Sequence, residues 1–356
     1  MKPRRNNGAS RRRRGTAGRT RRPDGLNRVV VFGAGALGSL LGGKLSRVVP
    51  VALIGRPAHM EAIRSRGLRI SGLSDETVRC GERLAACVSL DELRPALRAG
   101  ELVLLTVKAA RTEPAGRTLA AAAPAAGLNV VAFQNGTGFE EPLRAALGDR
   151  CALFFAVSHL GATLRAPGRV EDWGGEILLP DVEKMRGPEA ALRAAGLAVR
   201  RAPDIERRRW EKIAFNCALN VFCVLLEARN NETLDPRFRP IRRRVLAEAR
   251  AEAERAGAGL APTAELLDEF ERRVAVSRNV NSMLQDFRRG VRSENAYLNG
   301  ALARLARQHS TRAPANAALA GWMARLERAR LPEQQAALRA AALADLRSAR
   351  WEELAG

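Results

Sequence analysis

The sequence predicts an α/β fold: a doubly wound parallel sheet over the first half of the chain, joined to an all-α second half. Three observations carry this. An apolar run, Arg28-Val29-Val30-Val31-Phe32, breaks into spaced glycines at Gly33, Gly35 and Gly38 and resumes at Ser39-Leu40 with helical periodicity. Short apolar runs then alternate with helix-length segments to about residue 150, the pattern of repeated strand–helix–strand units. From Asp204 onward the composition shifts to Ala, Leu, Arg and Glu, reads as helix, and contains no internal repeat.

Residues 1–25 include Asn6-Asn7-Gly8, Arg11 to Arg14 and Pro23 without apolar periodicity, and their like charges repel. They read as a disordered basic tail. The first strand is expected at 28–33 and the first helix at 36–47. Between them Gly33 permits a sharp turn, Gly35 lets backbone amides approach a pyrophosphate, and Gly38 lets the helix close on the strand. The run Gly33-Ala34-Gly35-Ala36-Leu37-Gly38 is therefore a dinucleotide-binding fingerprint of Rossmann type. The second strand, 50–55, ends at Arg56, where an acidic residue would hold the ribose 2′-hydroxyl of NAD. An arginine there suits a 2′-phosphate, so the expected cofactor is NADP (NADPH). A helix at 57–66 and short strands at 68–70 and 78–80 precede strands at 101–107 and 128–133, followed by helices near 113–121 and 140–147. Those two strands deliver Lys108 and Asn135 at their carboxyl ends, where such sheets bind ligands, and both residues point at the cofactor crevice. Glycines and Pro167 between 151 and 180 punctuate one or two more strands and a hairpin, and the helical half breaks near Pro236, Gly257 to Pro262, Gly290 and Pro314. The expected organisation is a tail at 1–25, an NADP-binding domain at 26–203, a helical substrate and catalytic domain at 204–329, and an extra C-terminal helix within 330–356. On that last helix Leu338, Ala342, Leu346 and Ala349 share one face.

With 356 residues, 46% of them apolar, the chain has material for two cores. A net charge of +22 would point to nucleic acid or an anionic membrane. Nine of those charges fall in residues 1–25, however, and the rest are spread as Arg on helices that also bear Glu, which describes a solvated surface. A solvated extension, or an upstream start codon, accounts for the tail better than a nucleic-acid arm does. Cys80, Cys87, Cys151, Cys217 and Cys223 show neither metal-ligand nor paired spacing, so no metal site and no disulfide framework are expected, as suits a reducing cytoplasm. No run reaches the roughly 18 apolar residues of a membrane span, and no apolar signal core follows the arginines. The expectation is a cytoplasmic monomer or homodimer with no membrane partner.

In the helical half, Lys212, Asn216 and Asn220 stand at i, i+4 and i+8, one row about 12 Å long on a helix face among apolar neighbours. Buried amides need partners, since an unpaired one costs about 1–3 kcal/mol. His59, His159 and His309 lie far apart in no chemical context, which leaves proton chemistry to Lys212. A polar cluster at Asn279-Val280-Asn281-Ser282-Met283-Leu284-Gln285-Asp286 precedes Arg292-Ser293-Glu294-Asn295. Read from the residues alone, Glu294 is a helix-start charge favoured by the dipole.

Five ordered motifs make the chain, over roughly 28–327, resemble the ketopantoate reductases (2-dehydropantoate 2-reductases). They are the glycine fingerprint, Val107-Lys108-Ala109, Gln134-Asn135-Gly136, Trp210-Glu211-Lys212 with Asn216 and Asn220, and Ser282-Met283-Leu284-Gln285-Asp286 followed by Glu294. The resemblance implies NADPH-dependent reduction of a small 2-oxo acid, 2-dehydropantoate, to (R)-pantoate. It implies Lys212 as general acid, Glu294 with Asn216 and Asn220 holding the substrate, Ser282 and Asn279 assisting, Lys108 and Asn135 lining the cleft, and Arg56 meeting the 2′-phosphate. The stretch Glu227-Ala228-Arg229-Asn230-Asn231-Glu232 is more charged than the family pattern, and Asn295 stands where an apolar residue is typical. Reduction of a different 2-oxo acid, and a non-catalytic NADP-sensing or nucleic-acid-associated role, are the alternatives.

Overall fold

The computed structural model describes residues 26–348. The elements in chain order begin β1 (Val29–Phe32), α1 (Ala36–Leu45), β2 (Val51–Ile54), α2 (Pro57–Arg66), β3 (Leu68–Gly72), β4 (Glu76–Val78) and β5 (Leu84–Cys87). They continue β6 (Leu102–Leu105), α3 (Thr112–Ala122), β7 (Asn129–Ala132), α4 (Glu140–Leu147), β8 (Ala152–Phe155), β9 (Val157–Ser158), β10 (Gly161–Ala166), β11 (Arg169–Gly174) and β12 (Glu176–Pro180). After α5 (Arg186–Ala194) and β13 (Ala198–Ala202) the chain is helical: α6 (Ile205–Leu226), α7 (Arg239–Arg255), α8 (Thr263–Ala275), α9 (Ser282–Arg288), α10 (Asn299–Gln308), α11 (Pro314–Arg328) and α12 (Pro332–Arg347).

Six strands pair in the order β5-β2-β1-β6-β7-β8, every pair parallel. Their Val, Leu and Ile side chains are buried on both faces, as a sheet covered by helices on each side requires. The register sets Phe32 against Ile54 and Leu105, and Leu105 against Ala132, so the carboxyl ends finish level. The strand order reverses between β1 and β6, the point beyond whose carboxyl ends such sheets bind ligands in a crevice. The sequence reading gave four strands of this sheet. It missed β5, whose Leu-Ala-Ala-Cys carries no β-branched residue, and did not set β8 apart in the 151–180 stretch. The short strand expected at 78–80 instead lies at 76–78. A second sheet, β10-β11-β3-β4, and a third, β13-β12-β9, pack beside the first.

The helical half has its own apolar core, running from Trp210 through Phe222, Phe238, Phe270 and Leu302 to Leu346. Its axis is α6, whose 22 residues span about 33 Å. Helix α12 docks on this core with Ala342 and Leu346 buried and Leu338 packed beside them, while Ala349 lies outside the described residues. The expected tail at 1–25 also lies outside them. Among the described residues no helix is long and apolar enough to cross a membrane, and no group of three His, Cys, Asp or Glu could hold a metal ion.

Candidate active site

The fingerprint folds as its spacing requires. Gly33 adopts φ +113°, and a Cβ there would stand 2.4 Å from Val107 N; a Cβ on Gly38 would stand 2.5 Å from both Gly33 O and Thr106 Oγ1. Thr106 Oγ1 donates to Gly33 O at 2.8 Å and fixes the turn against β6. At Gly35, by contrast, the nearest atom to an added Cβ is 3.9 Å away, so this glycine faces open space. The first intrahelical bond of α1 runs from Ser39 N to Gly35 O, which leaves the amides of Ala36, Leu37 and Gly38 ahead of it at the positive end of the helix. Together with the open side at Gly35, this cradle fits a dinucleotide pyrophosphate. Arg56 stands exposed at the end of β2 as N-cap of α2, with no acidic residue in that helix's first turn.

His59, in the same helix, is structural. Its Nδ1 accepts from Gly168 N and its Nε2 meets Ser39 Oγ, both at 2.9 Å, and burial followed by the Arg56 charge pushes its pKa down.

Across the crevice the two halves of the chain meet directly. Lys108 Nζ, just past β6, lies 2.7 Å from Asp286 Oδ2 on α9 and 3.6 Å from Glu294 Oε2. Partial burial opposes the charge on Lys108, but the Glu294 and Asp286 carboxylates outweigh it and hold the pKa above the ordinary lysine value. Glu294 Oε1 accepts from Ala109 N at 2.9 Å. The expected helix-start role for Glu294 is thus replaced: only a short turn follows it, it makes no cap bond, and its carboxylate reaches over to the other half.

The Gln134-Asn135-Gly136 turn after β7 presses on the same segment. A Cβ on Gly136 would lie 1.9 Å from Tyr297 O, and Thr137 N donates to that carbonyl at 2.8 Å. Gln134 Nε2 bridges Leu105 O and Val107 O, each at 2.9 Å, which aligns the ends of β6 and β7. The result is a small enclosed cavity of about 10 Å³ bordered by Asn135, Asn220, Ser282, Met283, Asp286, Glu294 and Leu298. It has room for about one water.

Of the residues singled out in the sequence, Asn135, Asn220, Ser282 and Glu294 converge here, and Lys108 bonds two of the cavity's carboxylates. Asn220 is buried, whereas Asn216 one turn earlier is half-buried and does not border the cavity. Lys212, a further turn back, donates from Nζ to Ser158 O at 2.5 Å. Desolvation pushes its pKa down to about 8, against the opposing pull of Glu294. His159 beside it is pushed down to about 4, by desolvation first and then by the Lys212 charge, and so is a neutral neighbour. Asn279 is exposed away from the cavity, and its carbonyl accepts from Asn230 N at 3.0 Å. Asn281, two residues on, caps α9 by accepting from Leu284 N at 2.9 Å and so sets the helix that carries Ser282 and Asp286. Asn295 turns away from the cleft: it is buried, with Nδ2 3.4 Å from Ala320 O. Sequence reasoning missed Asp286 as a partner of Lys108, because their meeting spans 178 positions.

Residues 29–182 match the family described as ketopantoate reductase PanE/ApbA, and residues 204–327 match its C-terminal part. The chain belongs to the ketopantoate reductase family. A 2-dehydropantoate 2-reductase of Pyrococcus horikoshii is 32% identical over 299 residues, 81% of this chain and 94% of that protein. The crystal structure of a PanE/ApbA family ketopantoate reductase from Ralstonia eutropha JMP134 superposes with a TM-score of 0.75 at 28% identity, covering 86% of this chain and 99% of that one. A D-mandelate dehydrogenase solved with NADH and anilino(oxo)acetate reaches a TM-score of 0.73 at 20% identity over 89% of this chain and 99% of its own, a likeness of fold. The ketopantoate reductase fold, a parallel six-stranded sheet with helices followed by a helical region, is the one expected from the sequence.

Proposed function

We propose that the protein is an NADPH-dependent oxidoreductase that reduces 2-dehydropantoate to (R)-pantoate, with residues 26–203 as nucleotide-binding domain and 204–329 as substrate and catalytic domain. The observation that carries the reading is the meeting of Asn135 from the sheet with Asn220, Ser282 and Glu294 from the helical half at one cavity beyond the strand ends. The name of the Pyrococcus relative, which this chain matches over nearly its full length, supports the same reading.

A bound nicotinamide would supply a hydride to the substrate's C2. The chain's own work is to hold and to protonate. Gly33, Ala34, Gly35, Ala36, Leu37 and Gly38 form the pyrophosphate cradle, Arg56 meets the 2′-phosphate, and Lys108 and Asn135 border the cofactor where it enters the cleft. Glu294, Asn216 and Asn220, with Ser282, hold the 2-oxo acid, Glu294 by accepting a hydrogen bond from its hydroxyl, and Asn279 acts no closer than through the segment that leads into α9. With one bond from Ala109 N and Lys108 3.6 Å away, the Glu294 carboxylate keeps acceptor positions for the bond from the substrate hydroxyl. Lys212 stabilises the alkoxide that develops on the carbonyl oxygen and gives it a proton. A pKa of about 8 leaves Lys212 charged at neutral pH yet close enough to donate readily.

The test is NADPH oxidation measured across a panel of 2-oxo acids. The expected result is that kcat/KM for 2-dehydropantoate exceeds that of the other acids by about tenfold or more, as a site built to bond a substrate hydroxyl discriminates against acids lacking it. Another acid in first place would replace the substrate, and no oxidation with any of them would overturn the reading.

A further inference from the structure

Two parts of the chain meet at the end of α6: the charged stretch that begins at Glu227, and α12, which lies beyond residue 327, where the family match ends. Glu227 closes α6 in the left-handed region at φ +51°, a conformation that a non-glycine residue holds only when its surroundings fix it. The turn is closed by Ala228 N donating to Cys223 O at 3.1 Å, and two arginines reach Glu227. Arg288, the last residue of α9, donates from Nη2 to Glu227 O at 3.2 Å, and Arg339 of α12 places Nη1 3.0 Å from Glu227 Oε2.

Arg339 is itself packed in, its side chain 15% exposed, with its guanidinium 5.5 Å from the ring centre of Phe287 on α9. The far end of α12 is anchored by Ala342 and Leu346 in the helical core, so Arg339 projects from a fixed helix. Phe287 follows Asp286 directly, and Ser282 and Met283 border the cavity one turn earlier on the same short helix. With only seven residues, α9 has few intrahelical bonds of its own, so its placement depends on what grips it.

We propose that α12, through Arg339, is a positioning element for the substrate side of the cleft. Arg339 ties the end of α6 to α9 by pairing with Glu227 and covering Phe287, and this holds Ser282 and Asp286 at the cavity. The inference rests on the reading of α9 as a substrate-binding helix. It makes Arg339 a positioning residue, acting on the substrate through α9 without touching it.

The test uses the full chain with Arg339→Met, which keeps a long side chain and removes the charge and the planar group, and with Glu227→Gln as a second variant. Amide hydrogen exchange over 282–288 is expected to quicken by about tenfold with the amides of α1 unchanged. KM for 2-dehydropantoate should rise about three- to tenfold with kcat within about twofold and NADPH affinity unmoved. Unchanged exchange over 282–288 in both variants overturns the proposal, as does faster exchange or a lower Tm with KM unmoved, which marks a merely structural contact. If the unmodified protein oxidises no NADPH with any 2-oxo acid, the functional reading fails, and the exchange measurement still decides whether Arg339 grips α9.

Discussion

Glu294 shows how much a single residue's role depends on context that sequence spacing does not carry. Two residues past Arg292 and just ahead of a helical turn, it has the appearance of a helix-start charge, yet the structure points its carboxylate across the crevice to Ala109 N and Lys108. Asp286 is similar, since nothing local marks it as the partner of a lysine on another strand's end. Lys212 was easier to single out, because it stands in one row with two amides on a helix of largely apolar residues. Its depressed pKa gives a signed prediction. Reduction needs the protonated amine, so kcat should be level below about pH 8 and fall as pH rises through that value. A plateau extending to the ordinary lysine range, about 10.4, in the pH–rate profile would remove Lys212 from the proton transfer. At the other end of the cofactor, Arg56→Ala should cost NADPH about 1.5–3 kcal/mol of binding, a charge-assisted contact, and leave NADH nearly unaffected. Calorimetric titration that finds equal affinities for the two nucleotides in the unmodified protein would contradict the 2′-phosphate role of Arg56.

Elements were legible where one period dominates and obscure where residues are small or runs are short. The strand–turn–helix from β1 to α1 could be read because Gly33 and Gly38 answer close contacts, such as Gly38 against Gly33 O and Thr106 Oγ1, while Gly35 leaves an open side. Gly38→Ala should therefore cost about 1–3 kcal/mol of stability by denaturant titration, the range for overpacking a closed contact, and weaken NADPH binding as well. Stability unchanged within error would mean that α1 can shift away from β6 freely. Strand β5 and the α5–β13 unit escaped notice since Leu84-Ala85-Ala86-Cys87 offers no β-branched residue and Arg200-Arg201 interrupts β13 with charge. Nor does periodicity reveal the polar seam inside the helical half. Glu248 on α7 accepts from Ala315 N at 3.1 Å, Asn316 N at 3.0 Å and Asn316 Nδ2 at 2.8 Å, which caps α11. Asn316 passes the connection to Asn299, whose Nδ2 reaches Cys217 O on α6, next to Asn216. Glu248→Ala strands several buried donors and should lower stability by about 3 kcal/mol, measured by urea unfolding.

At the scale of the whole molecule, the site exists only where the two halves touch. The sheet contributes Lys108, Ala109 N and Asn135; the helical half contributes Asn220, Ser282, Asp286 and Glu294; and Lys212 is held from the sheet side by the Ser158 carbonyl. On the proposed function, nucleotide and proton donor fall to different halves, so each should be open to disturbance without the other. Residues 1–25 precede β1, so a chain that begins near Leu26 should retain its kcat/KM at fixed ionic strength, and a loss of tenfold or more would make the tail part of the site. The central claim, that Lys212 donates the proton while the sheet binds the nucleotide, is tested most directly by steady-state kinetics of Lys212→Ala with 2-dehydropantoate alongside NADPH titration. The account predicts a fall in kcat of at least about 10²-fold, the lower end of what general acid catalysis contributes, with NADPH affinity nearly unchanged. A near-normal kcat, or a collapse of NADPH affinity, would contradict it.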